Sequence, residues 1–195
     1  MCFICKYGDV MKYDIIYADP PWKYGSKGAR GGKFGELPYP SMSIKELCKM
    51  SVPSNDECLL FMWVTSPFLL DAGKVAEAWG FKYIRVDSVW NKKKASNLPH
   101  GVCGPHGMTD CEMILLFGKG KYMKLYNDTK RNQYTSVDEL YQSQHSKKPE
   151  IFRQRIDSKV NPELKRLEMF ARRSAEGWDV FGNEVDDSIN LEYKK

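Results

Sequence analysis

Apolar residues fall along the chain in short blocks separated by polar, glycine-rich or proline-rich stretches, and the period within each block predicts its element. Residues 13–18 (YDIIYA) form an apolar run stopped by an acid and two prolines, the pattern of a buried strand whose chain then leaves the sheet. Ser43, with Glu46 three positions later, supplies a capping box for a short helix over 43–50. Residues 58–64 (CLLFMWV) predict a second buried strand. Thr65-Ser66-Pro67 opens a helix with apolar positions at Leu69, Leu70, Val75, Ala76 and Trp79, and Gly80 ends it. Further strands are predicted over 82–90, 111–117 (CEMILLF), 165–170 (KRLEMF) and 178–181 (WDVF), with a helix over 149–158. The stretch 91–110 has no clear period and reads as a long loop, and the tail after residue 186 is polar.

Strands alternating with helices predict an α/β fold with a mostly parallel central sheet, in which ligands sit at the carboxyl ends of the strands. Two such ends carry polar chemistry. Asp19 follows the first strand directly, and Phe170-Ala171-Arg172-Arg173 follows the segment 165–169. A length of 195 residues predicts a single domain over 1–195, with 1–12 and 186–195 peripheral.

Composition narrows the function classes. Hydrophobic residues at 42% and charged residues at 28% suit a globular protein, and no apolar run approaches the length that crosses a bilayer. The first residues, MCFICKYGDV, lack the pattern of a secretory signal, so a cytoplasmic location with reduced thiols is expected. Of six cysteines only Cys2 and Cys5 form a CxxC pair, while Cys103 and Cys111 lie irregularly near His100 and His106. No metal site is expected from that spacing. Cys48 and Cys58 read as buried or incidental thiols.

The formal charge of +5 is mild, but its distribution is uneven. Residues 23–33, 92–94 and 119–131 mix Lys and Arg with Gly or Tyr, as segments that follow a phosphate backbone do, although a solvated loop has the same composition. The candidate substrate or active-site loops are therefore 23–40, 91–110 and 118–134. Within and beside them, Lys23, Tyr24, Lys27, Arg30, Lys33, Tyr39, Lys93, Lys121, Lys130 and Arg131 are candidate nucleic-acid contacts.

The tetrapeptide Asp19-Pro20-Pro21-Trp22 carries the sharpest chemistry. An aromatic amine such as that of adenine is a poor nucleophile because its lone pair is delocalised into the ring. Hydrogen bonds accepted from both N–H groups, by the Asp19 carboxylate and the Pro20 carbonyl, would localise that pair and favour the cationic transition state. Two prolines fix φ and remove competing donors, and Trp22 is expected to offer a flat face to the base. Alone, an acid before two prolines is also a plain strand terminator.

Several segments besides YADPPW at 17–22 complete a pattern: LPYPSMS at 37–43, LLFMWVTSP at 59–67, AWGFKYIRVDSVWNK at 78–92, HSKKPE at 145–150, LEMFARR at 167–173 and GWDVFGNE at 177–184. Together they resemble the MT-A70 family of N6-adenine methyltransferases, over about residues 13–185. The resemblance implies a Rossmann-like methyltransferase sheet in permuted order, the catalytic strand first and the cofactor strand near the C-terminus. It implies S-adenosylmethionine as cofactor, with Asp19 on the cofactor's methionine amine or on the target amine and Lys92 on its carboxylate. Glu168, Phe170, Arg172, Asn183 and Glu184 would line the cofactor pocket, with Asn183 or Glu184 suited to ribose hydroxyls. In HSKKPE, either His145 or Lys147 approaches the substrate or the segment is a polar helix start.

Competing chemistries lack their residues. No cysteine follows a proline, as cytosine C5 methylation usually requires, and the zinc-deaminase signature is absent. The glycine-rich loop fails as a phosphate loop, because Phe34 follows Gly32-Lys33 where Ser or Thr is needed. The expected function is N6 methylation of adenine in DNA, DNA being favoured over RNA because no RNA-binding extension accompanies the catalytic core. RNA methylation, or a silent nucleic-acid-binding partner, is the alternative. A monomer or homodimer without an obligate protein partner is expected.

Overall fold

Ile15, Ile16 and Ala18 of strand β1 (Tyr13–Ala18) are fully buried on alternating faces, which places this run in the middle of a sheet covered on both sides. The computed structural model describes residues 11–24, 40–104, 106–127, 135–142, 147–186, 188–189 and 191. After β1 come helix α1 (Ile44–Lys49), β2 (Ser54–Thr65), a 3₁₀ turn (Ser66–Phe68), α2 (Leu69–Ala78), β3 (Lys82–Lys93), β4 (Val102–Gly104) and β5 (Gly107–Thr109). Then follow β6 (Cys111–Lys119), a second 3₁₀ turn (Tyr122–Leu125), β7 (Ser136–Tyr141), α3 (Ile151–Lys159), β8 (Arg166–Met169) and β9 (Asp179–Phe181).

Among the described residues the large sheet has seven strands, in the order β7-β3-β6-β2-β1-β8-β9. Every neighbouring pair is parallel except those made by β6, which runs antiparallel to both β2 and β3. The α/β, mostly parallel architecture expected from the alternation is thus the observed one. Side-chain alternation along β2 divides the core in two. Leu60, Met62 and Val64 join Ile16 and Ala18 of β1 against Leu47 of α1 and Ala72, Val75 and Ala76 of α2. Leu59, Phe61 and Trp63 join Ile15 and Tyr17 on the opposite face, against Phe152 and Ile156 of α3. The capping box of α1 is present, with the Ser43 and Glu46 side chains each bonded to the other's backbone N–H.

Three departures from the sequence reading bear on the site. The stretch 91–110 is not an unbroken loop: β3 continues to Lys93, and β4 and β5 pair as a separate two-stranded ribbon. Strand β7 was not expected. Its outward residues include Val137, Glu139 and Tyr141, so no polar-out, apolar-in alternation marked it. It is held instead by polar bonds, Asp138 pairing with Arg155 of α3 while the Trp90 indole donates to Leu140 O at 3.0 Å. Finally, because β6 is antiparallel, the segment that follows it leaves from the end of the sheet opposite Asp19, where Gly118 stands beside Leu59 and Lys82.

A buried ion pair fastens α3 to β3. Lys159 Nζ lies 2.8 and 2.9 Å from the two oxygens of Asp87, which also accepts from Ser88 Oγ, and both charged residues are buried. Truncating one partner leaves a buried charge uncompensated. Lys159→Met is therefore expected to cost about 3–5 kcal/mol in urea unfolding, and Asp87→Leu added to it should restore most of that loss.

Candidate active site

The two polar strand ends singled out in the sequence lie side by side. Ala18 of β1 is in register with Met169 of β8, and the Asp19 N–H donates to Met169 O at 3.3 Å. Between and above them a cleft of about 290 Å³ is lined by Tyr17, Asp19, Trp63, Lys147, Lys148, Pro149, Glu150, Arg153, Glu168, Phe170, Arg172, Arg173 and Glu184. It sits at the carboxyl ends of the parallel strands, where open α/β sheets place their ligands.

Lys148 organises one side. Its Nζ lies 2.7 Å from Asp19 Oδ2, 3.2 Å from Glu112 Oε2 and 5.4 Å from the centre of the Trp63 ring. Glu112 in turn accepts from Lys92 Nζ at 3.2 Å. Burial pushes the Asp19 carboxyl up from its ordinary value, and the adjacent Lys148 ammonium pulls it back only in part. Burial also opposes the charges on Lys148 and Glu112, yet Asp19 and then Glu112 hold Lys148 ionised, and Lys148 and then Lys92 hold Glu112 ionised. The result is a row of alternating charges, Asp19, Lys148, Glu112 and Lys92, across the sheet end.

The other side belongs to α3 and β8. Arg153 Nη1 lies 2.6 Å from Glu168 Oε2, its remaining nitrogens reach Glu150, and Arg173 pairs with Glu150 as well. Burial raises the Glu168 carboxyl, an effect Arg153 opposes. Phe170 turns the chain at φ 63°, an unfavourable backbone for a side chain with a Cβ, and it packs edge to face with Phe181 at 6.0 Å. Gly182 permits this crossing of loops, since a Cβ there would lie 2.0 Å from Ala171 O.

The predicted residues fare unequally. Asp19, Glu168, Phe170, Arg172 and Glu184 all line the cleft, as does Lys147. Asn183 is exposed at the neighbouring turn and does not line it. Lys92, expected at the cofactor carboxylate, is buried against Glu112 instead, and Lys148 takes the place beside Asp19. Trp22 does not present an open face: it is 5% exposed, its ring stacks on Phe68 at 5.2 Å, and its indole donates to Trp63 O. The apolar residues of α2 and its leading turn claim it for the core. The Pro20 carbonyl already accepts from Trp22 N–H at 2.8 Å, which leaves one lone pair for another donor. Pro21 O accepts from Met42 N–H.

Among the candidate nucleic-acid contacts, Lys23 is exposed just past the tetrapeptide, and Tyr24 bonds Thr65 Oγ1 at 2.8 Å. Lys93 pairs with Glu139 at 3.0 Å. Lys121 is exposed at the opposite end of the sheet, so the beginning of the 118–134 loop lies away from Asp19. Lys27, Arg30, Lys33, Tyr39, Lys130, Arg131 and His145 lie outside the described residues. Among the described residues no group of histidines, cysteines and acids could hold a metal ion, and no helix is long and apolar enough to cross a membrane.

Sequence reasoning missed Lys148, Glu112 and Arg153. Glu112 did carry a signal, as the lone charge in the apolar run CEMILLF. Lys148 and Lys147 are adjacent and alike, so only the packing of the chain before α3 distinguishes the half-buried one from the exposed one.

Residues 13–184 match the family model MT-A70. The chain belongs to this family. Curated relatives include the Type II methyltransferase M.MunI of Mycoplasma sp, 34% identical over 91% of this chain and 79% of that protein. Others are a probable N(6)-adenosine-methyltransferase MT-A70-like protein of Oryza sativa subsp. japonica, 27% identical over 94% of this chain, and an N(6)-adenosine-methyltransferase MT-A70-like protein of Arabidopsis thaliana, 27% identical over 89%. The chain spans 25% and 24% of the length of these two plant relatives. As an MT-A70 protein it is a methyltransferase of class I fold whose methyl donor is S-adenosylmethionine.

The cleft suits such a donor chemically. Its amino-acid tail is a zwitterion and its ribose carries two hydroxyls, while the lining supplies carboxylates at Asp19, Glu168 and Glu184, cations at Lys147, Lys148, Arg172 and Arg173, and an aromatic wall at Phe170.

Two outcomes follow. Methyl transfer at saturating donor should fall on the acid side at a pH above the ordinary aspartate value of 3.8, and Lys148→Met should move that limb higher, since the cation opposing protonation is gone. A pH-rate profile reads both. Trp22→Ala should lower stability by about 3–5 kcal/mol in urea unfolding; unchanged stability with lost activity would return Trp22 to the reaction.

Proposed function

We propose that this methyltransferase acts on the exocyclic N6 amine of adenine in DNA, with Asp19 as the residue that receives the amine. The observation that carries this reading is the position of Asp19: a carboxylate at the exit of the central strand, at the mouth of the cleft, followed by prolines that withhold backbone N–H donors. When bound, S-adenosylmethionine supplies an electrophilic methyl group on a sulfonium.

The chain's residues then have definite tasks. Asp19 Oδ accepts one amine N–H and the free lone pair of the Pro20 carbonyl accepts the other, so the nitrogen lone pair leaves conjugation and faces the methyl group. After transfer the methylated amine would carry one proton too many, which it would release past Asp19 to solvent. Lys148, now at 2.7 Å from Asp19, must yield that carboxylate oxygen or share it when the amine arrives. Glu168 and Glu184 would accept from donor hydroxyls or ammonium, and Phe170 would supply an apolar wall. These assignments rest on placement within the cleft and on the family's chemistry.

DNA is favoured because this chain parallels the Type II methyltransferase M.MunI over most of its length. The plant relatives named for N(6)-adenosine support RNA as the second reading. Transfer of labelled methyl to unmethylated DNA, with RNA alongside, decides between them. Asp19→Ala is expected to lower transfer by about 10²-fold or more while donor and DNA still bind. Full activity in that variant would remove Asp19 from the reaction.

A further inference from the structure

Methyl transfer at Asp19 makes no use of the β4-β5 ribbon, although the ribbon is fastened to the same end of the sheet. Its root is set by backbone bonds from Lys92 N–H to Asp110 O at 2.7 Å, His100 N–H to Lys92 O at 2.9 Å and Lys94 N–H to Leu98 O at 2.8 Å. Gly101 passes so near the returning strand that a Cβ would lie 2.2 Å from Thr109 O. From Thr109 the chain runs through Asp110 and Cys111 to Glu112, the acid that holds Lys148 beside Asp19. The ribbon's base and the catalytic carboxylate are thereby parts of one framework.

Beyond that base the ribbon carries apolar side chains into solvent. Val102 is 58% exposed and Met108 47%, and Leu98 at the root is 59% exposed. Met108 is paired across the ribbon with Cys103, and Val102 with Thr109, so apolar groups project from both faces. A two-stranded hairpin is barely stable by itself in water, and exposed apolar groups clustered on one mark a contact surface.

Charge and shape indicate the occupant. Residues 92–109 contain Lys92, Lys93, Lys94, His100 and His106 but no acid, in a chain with 25 acids. Lys92 and Lys93 are paired with Glu112 and Glu139, while Lys94 and His106 are exposed, and Lys147 is exposed at the neighbouring cleft. Apolar side chains along the ribbon, with the exposed Lys94 and Lys147 nearby, fit a polymer that is anionic outside and apolar between its stacked bases. A two-stranded ribbon fits the major groove, and apolar side chains are the groups that proteins insert between base steps. An adenine must also leave the stack to reach a carboxylate at the floor of a cleft.

We propose that the β4-β5 ribbon enters duplex DNA beside the target adenine, where Val102 and Met108 hold open the base step from which the adenine is drawn. This rests on the DNA-adenine reading above. The test compares the unaltered chain with a Val102→Ser, Met108→Ser double variant in methyl transfer to unmethylated genomic DNA, as duplex and after heat denaturation. Both positions are exposed, so an unchanged urea midpoint is the expected control. Transfer to duplex should fall about 10-fold or more and transfer to separated strands less than about 3-fold, because only the duplex needs opening. Equal losses on both forms, or none on duplex, overturn the proposal, as does transfer by the unaltered chain to RNA alone. If the unaltered chain labels no polymer, the DNA-adenine reading fails by itself, and titration of a labelled DNA duplex then decides the ribbon. In that titration about 10-fold weaker binding by the variant supports the ribbon's role and equal binding overturns it.

Discussion

The Lys148 ammonium is the interaction on which the site depends. It joins Asp19 at the end of β1 to Glu112 at the start of β6, and Glu112 joins Lys92 near the end of β3. No member is easily spared. Each charge is wholly or partly withdrawn from water, and such a charge is tolerated only when its partners are in place. The arrangement of strands at this end of the sheet is therefore coupled to the ionisation of the acid that would receive the amine. A catalytic carboxylate must remain an acceptor while losing solvent, and a neighbouring cation allows both.

Helix α3 makes the second half of the site from the same logic. Its first turn brings Glu150 and Arg153 over the end of β8, where Arg153 meets Glu168. Its last residue, Lys159, is locked to Asp87 of β3 at the far end. The helix thus spans the sheet between two ion pairs, and Phe152 and Ile156 fill the layer between them against Trp63 and its neighbours. The unfavourable backbone of Phe170 is carried by this framework, and it turns the residue into the cleft wall.

Reversal of β6 sorts the loops. Parallel strands deliver their following segments to the cleft end of the sheet, so the residues after β1 and β8 line the cleft and those after β3 are rooted beside it. The antiparallel β6 delivers its following segment to the opposite end, which separates Lys121 from Asp19. Basic composition alone had treated these segments alike, because charge records an affinity for polyanions and says nothing about the end of the sheet from which a loop emerges.

The sequence by itself determined whatever depends on neighbours along the chain. The buried run before Asp19, the two prolines after it, the capping box at Ser43 and the strand end at Phe170 were legible, since period, φ restriction and capping act over a few residues, whereas Glu168 was reached only through the family resemblance. Only the tertiary structure decided which side chains meet. It buried Trp22 on Phe68, assigned Lys92 to Glu112 and set Lys148 rather than Lys147 against Asp19. It also made an edge strand of SVDELY and a ribbon within 91–110. Strand order and pairing across the sheet fix these outcomes, and a charge buried far along the chain finds its partner only after the strands have assembled.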